Sequence, residues 1–294
     1  MMTTPFQSGI LAEVPAAACF LFADMYDVEQ WPRLQRVLEQ EVDGLSIVFG
    51  VGYKLLHALN KQPEGMQEFS EFQHPAGRRR SYDMWFWLRA EDPGVVHQHL
   101  RRLLSATEEF ISLKVQYQSF RYREGRDLSG YVDGTENPAG EEALQAAIRI
   151  SDDENQHGAS LVTVQPWVHE LDYFKGLPQE QQDDTFGRHL ADNEEFDAPE
   201  SAHVKRTAQE SFDPESFILR RSMPWVDHKN EAGLIFVAFS DDFAKFNRMF
   251  QRMLGMDDGI EDALFSFTMP LFGANFWCPP TGKNGRINLQ FLRD

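Results

Sequence analysis

Two segments of this chain are related by a fixed offset of 150 residues, and that relation limits the folds open to it more than any other feature. EDPGVVHQHLRRLLS at 91–105 aligns with DDFAKFNRMFQRMLG at 241–255, so Asp92 falls on Asp242, Val96 on Phe246, Leu100 on Phe250, Arg102 on Arg252 and Leu104 on Leu254. Each segment follows an apolar run, DMWFWLRA or GLIFVAFS, of the residue types that favour strands. Asp92 and Asp242 suit a helix N-cap, where a carboxylate accepts the first free backbone N–H groups. In the second segment Phe243, Phe246, Phe250, Met253 and Leu254 recur at helical spacing and predict one apolar stripe lying on a sheet.

Five more stretches read as strands: 16–24, 46–52, 110–122, 160–168 and 217–225. Helices alternate with them, one carrying Trp31, Leu34, Val37 and Leu38. Each half therefore reads β-α-β-β-α-β, the split-βαβ or ferredoxin-like pattern. The expected fold is α+β: two tandem ferredoxin-like halves, residues 1–125 and 126–294, packed as in a dimeric α+β barrel, with a ligand cavity between sheet and helices. Segment 175–215 is polar and highly charged and predicts a long ordered loop ahead of the strand holding Arg220. Its acidic run from Asp192 to Glu195 reads as a solvated face.

With 42% hydrophobic residues the chain can bury a substantial core. Aromatic clusters, MWFWL and GANFWC, predict thick cores or a large apolar cavity. A net charge of −18 argues against nucleic acid or an anionic membrane as a partner, because both need clustered Lys and Arg. Cys19 and Cys278 sit far apart in apolar contexts and are read as reduced core residues. MMTTPFQSGI has neither the basic nor the apolar region of a secretory signal, and no run is long enough to span a bilayer, so a cytoplasmic location is expected. No long docking tail is visible in the closing INLQFLRD, so an encapsulating shell is allowed as a partner but not indicated.

Metal-hydrolase, nucleotide and Ser-hydrolase signatures do not occur: there is no HExxH, G-x-G-x-x-G, P-loop or G-x-S-x-G. His97 and His99 lie two apart on a helix and point in different directions. Three other places stand out. GYVDGTENP, Gly130 to Pro138, frames Asp133 between turn residues, a surface turn on its own evidence. His203 lies in SAHVKRT, a semi-apolar island. In FILRRSMPW a strand that buries Phe217 and Leu219 sends Arg220 and Ser222 to the same side as each other and Arg221 to the opposite one.

Together and in this order, GYVDGTENPAG, DDTFGRHLADNEE, SAHVKRT, ILRRSMPW and DALFSFTMPLFGANFWCPP resemble the dye-decolorising (DyP-type) haem peroxidases, closest to short bacterial forms without an export signal. The resemblance covers nearly the whole chain, QSGILAE included. It implies two ferredoxin-like halves, agreeing with the repeat, and a haem pocket in the C-terminal half holding one haem b per chain. It makes His203 the iron ligand, places Asp133 and Arg220 over the other face as catalytic residues, and gives Ser222 a supporting place in their hydrogen-bond network. Asp262 becomes the partner of the second His203 nitrogen, with Asp257 and Asp258 as competitors, and Arg188 a haem propionate partner. The implied reaction reduces hydrogen peroxide and oxidises phenols or aromatic dyes one electron at a time through a ferryl intermediate.

Two departures from the family's pattern bear on the donor. Met223-Pro224-Trp225-Val226 stands where the family has Pro-Tyr/Phe-Gly, and Phe272-Gly273 where it has Thr-Gly; bulkier groups there narrow access. Phe276 and Trp277 either wall the pocket or belong to the core. Trp225, Trp167 and Tyr173 are core or rim residues that double as candidate electron relays. The rival reading is a haem carrier or iron-handling, deferrochelatase-like protein on the same fold, which needs neither Asp133 nor Arg220. A homo-oligomer, dimeric or larger, is the expected assembly.

Overall fold

The computed structural model describes residues 4–293. In the N-terminal half, β1 (Ala17–Met25), α1 (Trp31–Glu41), β2 (Ile47–Gly52), α2 (Tyr53–Ala58), β3 (Met84–Ala90), α3 (Pro93–Thr107) and β4 (Ile111–Phe120) follow in order. Their antiparallel sheet runs β4-β1-β3-β2. After α4 (Gly140–Ala147) the pattern returns: β5 (Ser160–His169), an excursion with α5 (Leu171–Gly176), α6 (Gln179–Phe186) and α7 (His203–Arg206), then β6 (Leu219–Arg220), β7 (Met223–Val226), β8 (Ala232–Ser240), α8 (Phe243–Met253), β9 (Thr268–Pro270) and β10 (Ala274–Cys278). The second sheet runs β10-β5-β8-β7. As the repeat predicts, Asp92 caps α3, accepting the N–H groups of Gly94 and Val95, and Asp242 caps α8, accepting that of Ala244.

The sheets join edge to edge. Trp277 pairs with Val51 and Phe276 with Gly52, while Ser119 pairs with Trp225 on the far side, closing an eight-stranded antiparallel barrel that leaves neither half with a free edge there. Alternation along the strands sends Phe20, Phe22, Trp85, Trp87, Val162, Val164, Val237, Phe239 and Phe276 into one cluster inside the barrel. The aromatic clusters of the sequence therefore fill a core. Phe276 and Trp277 are both fully buried in such clusters, the second against α1 and β2 residues, which decides between their two readings.

Two expectations need correction. Segment 175–215 is not a bare loop, because α6, α7 and a turn of 3-10 helix at Gln209–Ser211 lie within it. The strand at 217–225 is interrupted at Arg221 and Ser222, although its register against β8 continues from Arg220↔Ala238 to Met223↔Ile235. Phe217 stays outside at 36% exposure, while Ile218 and Leu219 are buried. It precedes the first paired residue, so strand alternation does not yet govern it. Cys19 and Cys278 are unpaired and buried, and burial pushes the Cys19 thiol up to about 12. No helix among the described residues is long and apolar enough to cross a membrane.

Candidate active site

A cavity of about 300 Å³ lies between α8, the outer faces of β5 and β8, and the 170–218 excursion. Trp167, Phe236, Phe246, Met249, Phe250 and Met253 give it apolar walls, and His203, Asp133, Arg220 and Arg188 also line it. Four segments far apart in sequence thus meet on one surface. Gly187 ends α6 at φ +81°, and a Cβ there would come within 2.3 Å of Val204 Cγ1, so only glycine lets α6 close against the helix that opens with His203.

His203 Nδ1 lies 2.7 Å from Asp262 Oδ2. Asp262 is buried and caps the 3-10 turn Ala263–Ser266 by accepting Leu264 N–H through Oδ1, which leaves Oδ2 for the ring. The competitors are engaged elsewhere or unattached. Asp258 takes a bidentate pair of hydrogen bonds from Arg206 at 2.7 and 2.8 Å, which bring its carboxyl down to about 2. Asp257 makes no hydrogen bond to His203. With Nδ1 occupied, Nε2 of His203 has no partner among the described residues and is the nitrogen available to a ligand in the cavity.

Asp133 stands at the open end of a short hairpin. Its N–H donates to Gly125 O, Arg126 bridges Val132, and Asp127 N–H donates to Tyr131 O. Beyond it the chain turns at Gly134, φ +83°, where a Cβ would lie 2.7 Å from Asn137 Nδ2. Asn137 is the reason for that turn: its side chain accepts Arg220 N–H at 2.8 Å and donates to Arg220 O at 3.0 Å. The framed acid and the strand arginine are thereby held side by side, with Arg220 Nε 3.7 Å from Asp133 Oδ1. Among the described residues that buried Nε has no hydrogen-bond partner, a polar atom left for something in the cavity.

The domains already visible in this geometry have counterparts among known proteins. A family model described as Dyp-type peroxidase, C-terminal, matches residues 124–283, and one described as Dyp-type peroxidase, N-terminal, matches residues 7–121. The chain belongs to the Dyp-type peroxidase family. Relatives of this peroxidase include the dye-decolorizing peroxidases of Rhodococcus erythropolis, 30% identical over 80% of this chain and 72% of the relative, and of Mycobacterium tuberculosis, 29% identical over 80% and 73%. A crystal structure of a dyp-type protein from Shewanella oneidensis superposes with a TM-score of 0.88 at 27% identity, covering 99% of this chain and 98% of the other. A variant of DypB from Rhodococcus jostii, solved in complex with heme, superposes at 0.82 with 26% identity over 94% and 96%.

The residues of this Dyp-type peroxidase fit haem: an imidazole nitrogen without a partner, apolar walls from α8, and an unpartnered arginine N–H share one cavity. Not every expected residue faces it in the same way. Ser222 lines an adjoining cavity of about 60 Å³ with Asp133, Asn137 and Arg220, and its Oγ lies 3.4 Å from Val237 N. Arg188 is at the rim between Glu136 and Glu195, at 2.7 and 2.9 Å, so a propionate would share its guanidinium with two carboxylates. Trp167 lines the main cavity and Trp225 is buried behind it, its indole N–H donating to Trp167 O at 3.0 Å, whereas Tyr173 is exposed.

Sequence reasoning missed three groups. Asn137 carried a signal, an Asn held in the same nine-residue motif as Asp133. Asp127, His169 and Thr268 line the cavity as a hydrogen-bonded chain, His169 Nε2 being 3.0 Å from Asp127 Oδ1 and Nδ1 2.6 Å from Thr268 Oγ1. Tyr131 donates its hydroxyl to Asp183, and burial together with that carboxylate pushes the phenol upward. These last contacts join residues 42, 99 and 52 positions apart and left no local pattern to read.

Proposed function

We propose that this protein is a haem peroxidase that reduces hydrogen peroxide and oxidises small aromatic donors such as phenols or dyes, with one haem b per chain held through His203. The observation that supports it most is the gathering of the His203–Asp262 pair and the Asp133–Arg220 pair around a single apolar-walled cavity. Haem, when bound, would supply the electrons that reduce peroxide and recover them one at a time from a donor.

His203 would bind the iron through Nε2 as neutral imidazole while Nδ1–H donates to Asp262, which orients the ring and raises its basicity. Asp133 would accept a proton from one peroxide oxygen and return it to the other. Arg220 would meet the negative charge that develops on peroxide with a fixed cation, its Nε free to turn from Asp133 to the ligand. The Met249, Phe250 and Met253 side chains would keep water from the buried face of the macrocycle. Arg188 would pair with a propionate at the rim, and Ser222 would act from the adjoining small cavity through Asp133 and Arg220.

The test is an absorption spectrum of haem-loaded protein and of His203→Ala, before and after one equivalent of peroxide. The peroxidase reading expects histidine-ligated ferric haem whose spectrum changes with peroxide in wild type and is lost in the variant. Haem uptake with no response to peroxide would replace it with the carrier reading.

A further inference from the structure

We infer that His169 is a positioning residue for peroxide activation: by locking the tip of the Gly125–Asp133 hairpin through Asp127, it fixes where the hairpin delivers Asp133. The inference rests on the proposed peroxidase chemistry and adds a residue to it that acts at a distance.

The hairpin has three rungs. Gly125 O accepts Asp133 N–H at the open end, Arg126 bridges Val132, and Asp127 bonds Tyr131 and Gly130 at the tip. A rigid ladder this short transmits rotation at its tip to its open end, since each rung fixes the next. Asp127 spends both carboxylate oxygens on that geometry: Oδ2 accepts Ser129 N–H at 2.8 Å and Oδ1 meets His169 Nε2 at 3.0 Å. Burial alone would raise the Asp127 carboxyl, but the His169 ring and Ser129 outweigh it and hold it at about 2, so it accepts only. His169 Nε2 therefore carries the hydrogen in this contact whatever the state of Nδ1.

The ring is held from its other side as well. Nδ1 lies 2.6 Å from Thr268 Oγ1, and that hydroxyl donates to Val168 O at 3.0 Å. Thr268 opens β9, six residues beyond Asp262, and Glu170 N–H donates to Phe267 O at 2.7 Å beside it. The side chain of His169 is only 4% exposed, and it lines the main cavity with Asp127 and Thr268. A single imidazole thus ties the loop bearing Asp133 to the segment that leads from Asp262, across the end of β5. Among the described residues the Asp133 carboxylate makes no hydrogen bond and one ion pair, the 3.7 Å approach to Arg220, so its placement depends on its backbone.

Two variants separate the contacts. In His169→Gln the amide nitrogen takes the place of Nε2 and keeps donation to Asp127; in His169→Asn it takes the place of Nδ1 and reaches only Thr268. The expected result is that His169→Asn lowers kcat/KM for peroxide about tenfold while His169→Gln keeps most of it, the size expected when a reacting group is displaced by a fraction of an ångström. The value of kcat/KM for the donor should be unchanged in both. Association of hydrogen cyanide with the ferric protein, which needs proton removal but no turnover, should slow in the same order. In an Asp133→Asn background His169→Asn should have no further effect on either rate.

Equal losses in the two variants, tracked by equal falls in the thermal midpoint of the haem-free protein, would overturn the inference in favour of a purely structural contact. So would additive losses in the Asp133→Asn background. A wild type that binds haem and cyanide but ignores peroxide would remove the peroxidase reading alone, and the cyanide rates would still decide the role of His169. A wild type that takes up no haem would overturn both.

Discussion

The two halves of the barrel share an order of elements but cover their sheets differently. In the N-terminal half residues 26–46 form the first crossover, and its helix α1 lays Trp31, Leu34 and Leu38 beside Val96, Leu100 and Leu103 of α3 in a single apolar cluster. In the C-terminal half the same crossover spans residues 170–218, about twice as long, and its longest helix, α6, has 8 residues. Only α8 lies along the sheet as a long helix, and the space beside it is the cavity. One topology has thus been used once for stability and once for a site. The longer crossover gave up a packing helix, and in exchange it carries Arg188 and His203 to the sheet surface.

If this contrast is right, the largest effects of substitution fall on chemistry in one half and on stability in the other. Arg220→Leu should lower the rate constant for peroxide by on the order of 10³, and Asp133→Asn by on the order of 10², with haem retained in both. Single-mixing spectra at several peroxide concentrations measure each, and the reverse ordering would make Asp133 the more important group. Leu103→Ala in α3 should destabilise the haem-free protein by about 2–5 kcal/mol, because the void it leaves is enclosed. Met249→Ala in α8 borders space already present and should cost markedly less; equal costs in denaturant titrations would break the comparison.

Acid should weaken one contact of the C-terminal half that the N-terminal half does not have. The carboxyl of Asp127 is lowered in the folded protein, from an ordinary 3.8 to about 2, so the stability it contributes is fully present above about pH 4 and is lost as pH falls towards 2. The amount is on the order of 2 kcal/mol, and Asp127→Asn should flatten that part of the stability profile. The smallest effects belong to what the halves have in common. Asp92→Ala and Asp242→Ala each remove an N-cap and should cost about 1 kcal/mol, nearly alike in thermal midpoint.

Reading the site from sequence worked where a residue's role is set by its immediate neighbours. Asp92, Asp242 and the stripe on α8 are of this kind, and so is the turn chemistry around Asp133. It was incomplete where several residues compete on equal local terms. Asp257, Asp258 and Asp262 are five positions apart at most and chemically identical, and only the path of the chain after α8 gives Asp258 to Arg206 and Asp262 to His203. Phe217 was misjudged because alternation holds only where a strand is paired, and pairing begins at Leu219.

The sequence by itself determined the two-fold repeat, the alternation of strands and helices, the N-caps of α3 and α8, and the turn that frames Asp133. Those are properties of short-range spacing, which the backbone's two periodicities make legible. Tertiary structure alone decided that the sheets close into a barrel through Trp277 with Val51 and Ser119 with Trp225, that Asn137 clamps Arg220, and that His169 reaches Asp127. Such contacts link positions tens to hundreds of residues apart. Their partners are selected by the packing of the whole chain, and no local pattern encodes that choice.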